Sequence, residues 1–389
     1  MSQRIPLLVI GPTPPPFHGV AVAVQTLLNS TIVGQFRVLH LELADRRGIQ
    51  HVNRPDFHDV LLFLRQWSKL LALLIRQRPR VVYLVISQTT VGFIRDSLFM
   101  WTAALFDGRV VIHLQGGDFG RWYDSRSRSL KTYVRLVMTL VNRAIVLGES
   151  LKPAFAGLVP PERISVVPNG VDWWGGTSSH RRNRGVPHWR VLHLSILNKM
   201  KGTLVFLQAV PGVLRRRTDV EFICAGPWSH PDHQREAVDW IAQCDLWSVI
   251  TMTGEMDARL KRALFESADL FVFPGVQQEG QPLVVLEAMA AGLPILFTDR
   301  GCLKETVTDG ESGLEVRAND PDHLAERILW MLDHPEEMAR LGDNARRRYA
   351  AHYTRERYVE QLSRVFTLVA GEPGSKSFES QNSQLTTSS

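Results

Sequence analysis

Cysteine is scarce: Cys224, Cys244 and Cys302 are the only three in 389 residues. Their odd number and wide spacing exclude a disulfide framework and a cysteine zinc site, and suit core thiols of a reducing compartment. Long apolar runs are missing too. The nearest, Leu61 to Ile75, is broken by Arg65 and Lys69 and falls short of the roughly 18 residues that a membrane-spanning helix needs. The run Ile5 to Ile10 follows a single Arg4 and stops at once in Gly11-Pro12-Thr13-Pro14-Pro15-Pro16, so no secretory signal is expected. No G-x-G-x-x-G follows that run, which speaks against a nicotinamide-dependent enzyme. No cluster has metal-ligand spacing, and neither a metal nor a resident cofactor is expected. Asp320-Pro321-Asp322 imitates a metal-binding DxD, yet an Asp before a first-turn proline is a helix cap.

The remaining composition is that of a globular protein, 44% hydrophobic and 22% charged, and 44.0 kDa suits two domains. Charge is unevenly spread. Residues 1–180 carry 20 Lys and Arg against 11 Asp and Glu, whereas residues 181–389 carry 25 against 28. In the basic half, Leu64 to Arg80 and Arg126 to Arg135 set cations beside Trp and Leu at helical spacing. Such segments suit an anionic membrane surface, and equally the solvated faces of ordinary helices.

Short Val- and Ile-rich runs alternate with helix-length amphipathic stretches, the pattern of a parallel sheet with crossover helices. Strands are expected at Leu7–Ile10, Val38–Leu43, Val81–Ile86, Val110–Leu114, Ala144–Leu147 and Ile164–Val167. The pattern restarts at Arg190–Leu194, Val220–Cys224, Val249–Thr253, Leu270–Phe273 and Pro294–Phe297. Helices are expected at Pro321–Asp333, Pro335–Gly342 and Thr354–Ala370. The chain therefore divides into an N-terminal domain over 1–175, a linker over 176–188 and a second α/β domain over 189–352. A final helix over 353–370 is expected to pack back on the first domain, and a Ser-, Gln- and Thr-rich tail over 371–389 to be disordered.

The chemistry concentrates between Pro274 and Gly292, where a strand passes through a Gly-containing loop into a helix starting near Pro282. Free N–H groups at such a helix start suit a diphosphate. Glu279 stands in the loop, and Glu287 about five residues into the helix, roughly 7 Å along it. Each carboxylate can accept paired hydrogen bonds from vicinal hydroxyls, one set on a ribose and one on a hexose.

The run Ser267-Ala268-Asp269-Leu270-Phe271-Val272-Phe273-Pro274, followed by Glu279-Gly280-Gln281-Pro282-Leu283-Val284-Val285-Leu286-Glu287 and on to Pro294, closely resembles glycosyltransferase family 4, whose E-x7-E motif Glu279 and Glu287 match. Val167 to Asp172, Gly226-Pro227 and Thr253-Gly254 match more weakly. The resemblance spans about residues 5–365 and implies the GT-B fold, two Rossmann-like domains with parallel sheets facing across a cleft. It also implies a retaining hexosyltransferase that uses a nucleotide-diphosphate sugar. Lys201, before Gly202, matches the lysine that contacts the donor diphosphate, and Gly19, Gly226, Gly254, Gly280, Gln281, Pro282 and Leu283 join the expected donor contacts. The implied acceptor is a saccharide or lipid-linked saccharide at the inner face of a bacterial membrane, for a cytoplasmic or peripheral protein.

The chain departs from the family pattern at three places. Ile196 stands where many relatives carry arginine, leaving Lys199 as a candidate second cation. Gln115 stands where relatives often place histidine, itself a possible cleft residue, with His113 two residues earlier as a catalytic candidate and Asp118 as a further cleft candidate. His18 replaces the first of two glycines and either faces the cleft or caps the turn. Ile196 and Gln115 leave open a non-catalytic binding subunit of a polysaccharide assembly complex, and the shared GT-B fold leaves open a sugar-nucleotide epimerase.

Overall fold

A computed structural model of the chain describes residues 4–43, 57–173 and 188–372. The Val- and Ile-rich runs form twelve strands: β1 (Ile5–Gly11), β2 (Phe36–Glu42), β3 (Val81–Val85), β4 (Arg109–His113), β5 (Val141–Val146) and β6 (Ile164–Val166), then β7 (Trp189–Leu194), β8 (Val220–Ala225), β9 (Ile250–Met252), β10 (Leu270–Phe273), β11 (Ile295–Phe297) and β12 (Leu314–Glu315). They make two six-stranded sheets, ordered β2-β1-β3-β4-β5-β6 and β12-β11-β10-β7-β8-β9. Every pairing within them is parallel. Parallel strands are buried on both faces, which is why they read as continuous apolar runs.

The chain divides into two compact units, 1–168 with 356–389 and 169–355. In the second unit, alternate strand residues feed two cores. Val191, Phe222, Leu270 and Val272 pack into one, while Leu192, Ile223, Phe271 and Phe273 pack into the other. In the first unit, the helix Arg355–Gly371 supplies Tyr358, Leu362, Phe366 and Val369 to a core with Leu7, Val9, Tyr83 and Val111. Arg109 donates to the Val369 carbonyl at 3.0 Å, placing a cation at the C-terminal end of that helix. The two ends of the second unit are bonded together: the Val171 N–H donates to the Tyr353 carbonyl at 3.0 Å, and Arg355 pairs with Asp172 at 2.8 Å.

Several boundaries differ from the sequence expectation. Asn169–Trp173 belongs with the second unit, because Asn169 bonds to Gln281 there. The helix expected to stop at Gly342 runs from Pro335 to His352. Gly342 is needed for close packing: a Cβ there would lie 2.3 Å from the Gly292 carbonyl oxygen. Asp320 caps its helix, accepting from the His323 N–H at 2.9 Å. Gly371 still belongs to the last helix, and Glu372 pairs with Arg143 at 3.3 Å, so the expected tail does not begin at 371. Residues 373–389 and the linker residues 176–187 lie outside the described residues.

Candidate functional site

The second sheet reverses its winding between β7 and β10, which are neighbours although far apart in the chain. In open α/β sheets, the loops leaving the carboxyl ends of strands at such a switch point are where ligands bind. The loop after β7 carries Lys201 and the loop after β10 carries Glu279. Lys201 Nζ lies 2.8 and 2.7 Å from the two Glu279 carboxylate oxygens. The side chains are 22% and 7% exposed, so the pair is largely shielded from water.

Glu287 stands in the helix Leu283–Ala290, and its side chain is 15% exposed. Lys261, from the helix Ala258–Ser267, reaches one of its oxygens at 2.5 Å. The other oxygen is buried with no hydrogen-bond partner. Burial pushes the Glu287 carboxyl above the usual carboxylate range, and the Lys261 charge opposes that shift. A buried carboxylate with half its accepting capacity unused is costly to keep, and suits a polyhydroxylated ligand. Sequence reading missed Lys261, which sits on an amphipathic helix where a lysine reads as a solvated face.

A relay of buried bonds fixes the Lys201 loop. His193 on β7 lies 3.0 Å from the Val272 carbonyl and 3.2 Å from Thr203 Oγ1. Thr203 Oγ1 accepts from the Asn198 N–H at 3.2 Å, and Asn198 Oδ1 accepts from the Lys201 N–H at 2.8 Å. Burial pushes His193 down to about 4, keeping the ring neutral. Gly202 has φ of 78°, and a Cβ there would lie 2.0 Å from the Pro274 carbonyl oxygen. The Met200 carbonyl also accepts from the Val276 N–H at 2.8 Å, stitching the two loops together. Gly301, unremarked in the sequence, lets its strand-end turn close on Glu279, where a Cβ would lie 1.8 Å from the Glu279 carbonyl oxygen.

The other expected donor residues divide. Gly280 is buried, and its carbonyl accepts from the Cys302 N–H at 3.3 Å. Pro282 caps the helix and Leu283 packs on its core. Gln281 is committed elsewhere, accepting from the Asn169 N–H at 2.7 Å and donating to Thr306 at 3.0 Å. Its role is to tie the loop to the start of the unit. A Cβ on Gly226 would meet the Ser195 carbonyl oxygen at 1.8 Å, so that glycine brings strand ends together, whereas Gly254 faces open space. Lys199 pairs with Glu236 at 2.7 Å on the surface and is not a second cation beside Glu279. The second lysine among these carboxylates is Lys261.

In the first unit, His113 is fully buried in β4. Tyr83 Oη lies 2.8 Å from its Nδ1 and Gln115 Nε2 3.2 Å from its Nε2. Burial pushes it down to about 3. A neutral, enclosed imidazole cannot touch a substrate, which corrects its reading as catalytic. Gln115 is half-buried above it. His18 caps the helix Gly19–Leu28, accepting from the Ala21 N–H at 3.4 Å, with Gly19 exposed at the helix start. Asp118 precedes the helix Phe119–Asp124, 3.8 Å from Arg121, and its N–H donates to Gln88 at 2.7 Å.

The chain is 27% identical over 219 residues to the putative colanic acid biosynthesis glycosyltransferase WcaL of Salmonella typhimurium, covering 54% of this chain and 52% of the relative. It is 31% identical over 249 residues to the MMP alpha-(1->4)-mannosyltransferase of Mycolicibacterium hassiacum, covering 63% and 57%. The chain thus spans little more than half the length of these curated relatives. Among solved structures, Anabaena HepE in complex with UDP and glucose superposes with a TM-score of 0.74 at 19% identity, covering 93% of this chain and 99% of that one. Sucrose-phosphate synthase from Thermosynechococcus elongatus superposes at 0.72 with 16% identity, covering 94% and 99%. The chain therefore has the two-domain GT-B fold, and its residues 180–348, which include Lys201, Lys261, Glu279 and Glu287, match the family model of glycosyl transferases group 1.

Proposed function

We propose that the protein is a retaining glycosyltransferase. It moves a hexose from a nucleoside-diphosphate sugar to a saccharide or lipid-linked saccharide, on the cytoplasmic side, in bacterial cell-surface polysaccharide synthesis. The observation that carries this reading is that each of the two glutamates pairs with a lysine, Glu279 with Lys201 at the switch point of the second sheet and Glu287 with Lys261 between two helices. Lys201 meets the diphosphate, Glu279 beside it meets the sugar hydroxyls, and Glu287 takes the vicinal hydroxyls of the ribose. The relatives named for transfer to polysaccharide or glycolipid, and a neighbour holding UDP, support it.

In this reading the bond from the anomeric carbon to the leaving phosphate oxygen breaks while the acceptor oxygen attacks from the same face. The acceptor proton passes to the leaving phosphate. Negative charge grows on that phosphate, and Lys201 stabilises it without a covalent enzyme intermediate. No step calls on a metal; activity abolished by chelation and restored by a divalent cation would overturn that part.

The test is a thermal-shift screen of UDP, GDP, ADP and their sugar conjugates, followed by turnover with the donor that stabilises. Stabilisation by one nucleotide family, and turnover lost on Glu287→Ala, are the expected results. Indifference to all of them sinks the reading. Epimerised donor without acceptor would make the protein an isomerase.

A further inference from the structure

His113 cannot reach a ligand, yet both of its ring nitrogens are engaged. It is fully enclosed in β4, and a buried imidazole needs a partner at each nitrogen. Tyr83 Oη, from β3, lies 2.8 Å from Nδ1, with the two rings edge to face at 5.8 Å. Gln115 Nε2 lies 3.2 Å from Nε2. Burial pushes the imidazole down to about 3. The ring is therefore neutral, with a proton on one nitrogen and a lone pair on the other.

The partners decide which is which. An amide nitrogen only donates, so Gln115 Nε2 donates to the lone pair of His113 Nε2. The proton is then on Nδ1, which donates to Tyr83 Oη. Burial and the neighbouring Tyr358 hold the Tyr83 phenol well above its usual range, so its oxygen stays a neutral acceptor. His113 thus engages the nitrogen of the Gln115 amide and leaves the carbonyl oxygen Oε1 turned away, where no described residue donates to it.

Gln115 stands where a ligand can meet that oxygen. The first sheet reverses its winding between β1 and β3, and β4 is the next strand. Loops leaving the carboxyl ends of strands around such a point line the ligand crevice of open α/β sheets. The loop after β3 also grips the segment that follows Gln115. Gln88 Oε1 accepts from the Asp118 N–H at 2.7 Å, and a Cβ on Gly116 would lie 1.8 Å from Gln88 Nε2. Side chain and backbone of Gln115 are therefore both held before any ligand arrives, which spares the ordering cost on binding.

We propose that His113 is a positioning residue, which fixes the Gln115 amide so that Oε1 accepts a hydrogen bond from a hydroxyl of the bound saccharide. The proposal rests on the glycosyltransferase reading for the saccharide, and on the first unit alone for the geometry.

The test is a double-mutant cycle on the full chain. It uses the sugar nucleotide that stabilises the protein among the UDP, GDP and ADP conjugates, followed as hydrolysis without acceptor and as transfer to an alkyl glycoside. Gln115→Ala should lower kcat/KM roughly tenfold. Loss in both assays assigns the hydroxyl to the donor sugar, and loss in transfer alone assigns it to the acceptor. His113→Phe should lower kcat/KM as far, and should add nothing to Gln115→Ala. Tyr83→Phe, a smaller change in the core, should lower activity by itself and not in the Gln115→Ala background. Losses that multiply would show that His113 serves only the core, and would overturn the proposal. In 15N spectra of histidine-labelled protein the His113 signal should be that of the Nδ1–H tautomer; the opposite tautomer would turn the amide nitrogen outward and refute it. A limb of the pH–rate profile between 5 and 8 that His113→Phe removes would refute it too, since His113 would then be exchanging protons. Absence of turnover by the parent chain would remove the glycosyltransferase reading as well, whereas turnover that Gln115→Ala leaves unchanged would remove this proposal alone.

Discussion

Glu287 is a buried carboxyl that works against the stability of its own fold. Its pKa is raised above the ordinary value of 4.5. The native state therefore holds a proton that the unfolded chain has already released in the window between the two, and stability falls as pH climbs through it. Glu287→Gln should accordingly raise stability at neutral pH by about 1 kcal/mol, with the gain vanishing below the ordinary carboxylate value, while nucleotide binding is lost. Lys261, a third exposed, can turn to water when its partner is removed. Lys261→Met should act in the opposite sense, because it strips the cation from a buried carboxylate. Melting curves of both variants across pH check the pair. The two glutamates were legible in the sequence because loop and helix hold them at fixed spacing, and Lys201, 78 residues from Glu279, was legible only through the family resemblance. Lys261 was not, since its partner is 26 residues away and no local pattern joins the two helices. His113 misled for a related reason: alternation along a strand says which residues share a face, but not that Tyr83 from the next strand closes over one of them.

At the scale of elements, glycine lets two loops touch, and aromatic contacts seat the last helix on strands of the first sheet. Gly202→Ala forces a side chain into a left-handed backbone and against the Pro274 carbonyl. It should cost about 2 kcal/mol or more and displace Lys201, so both the melting temperature and the donor Kd report it. Phe366, from the last helix, meets Tyr83 edge-on at 5.4 Å and Phe36 at 6.1 Å. Phe366→Ala should destabilise the first unit by about 3–5 kcal/mol, read by denaturant melts. All eleven expected strands form: the interior ones are buried and announce themselves as apolar runs, and the edge strands β2, β6 and β9 are only partly buried. β12, two residues long, has too little sequence to carry a pattern. The helix predicted to end at Gly342 shows the limit of punctuation: glycine marks a stop or a close approach, and only the neighbouring Gly292 decides which.

At the scale of the whole molecule, each of the two units owns a sheet and its own apolar packing. Calorimetry should resolve two unfolding transitions, and a nucleotide at about a hundredfold over its Kd should stabilise only the second, by about 2.7 kcal/mol. A shift of both transitions by the same amount would refute that independence. The polypeptide enters the second unit at Asn169 and leaves it at Arg355, and these two ends are bonded to each other. In topological terms the second unit is an insertion within the chain of the first. One continuous gene segment, between two cuts that lie side by side in the structure, encodes the entire second unit and leaves the last helix with the first.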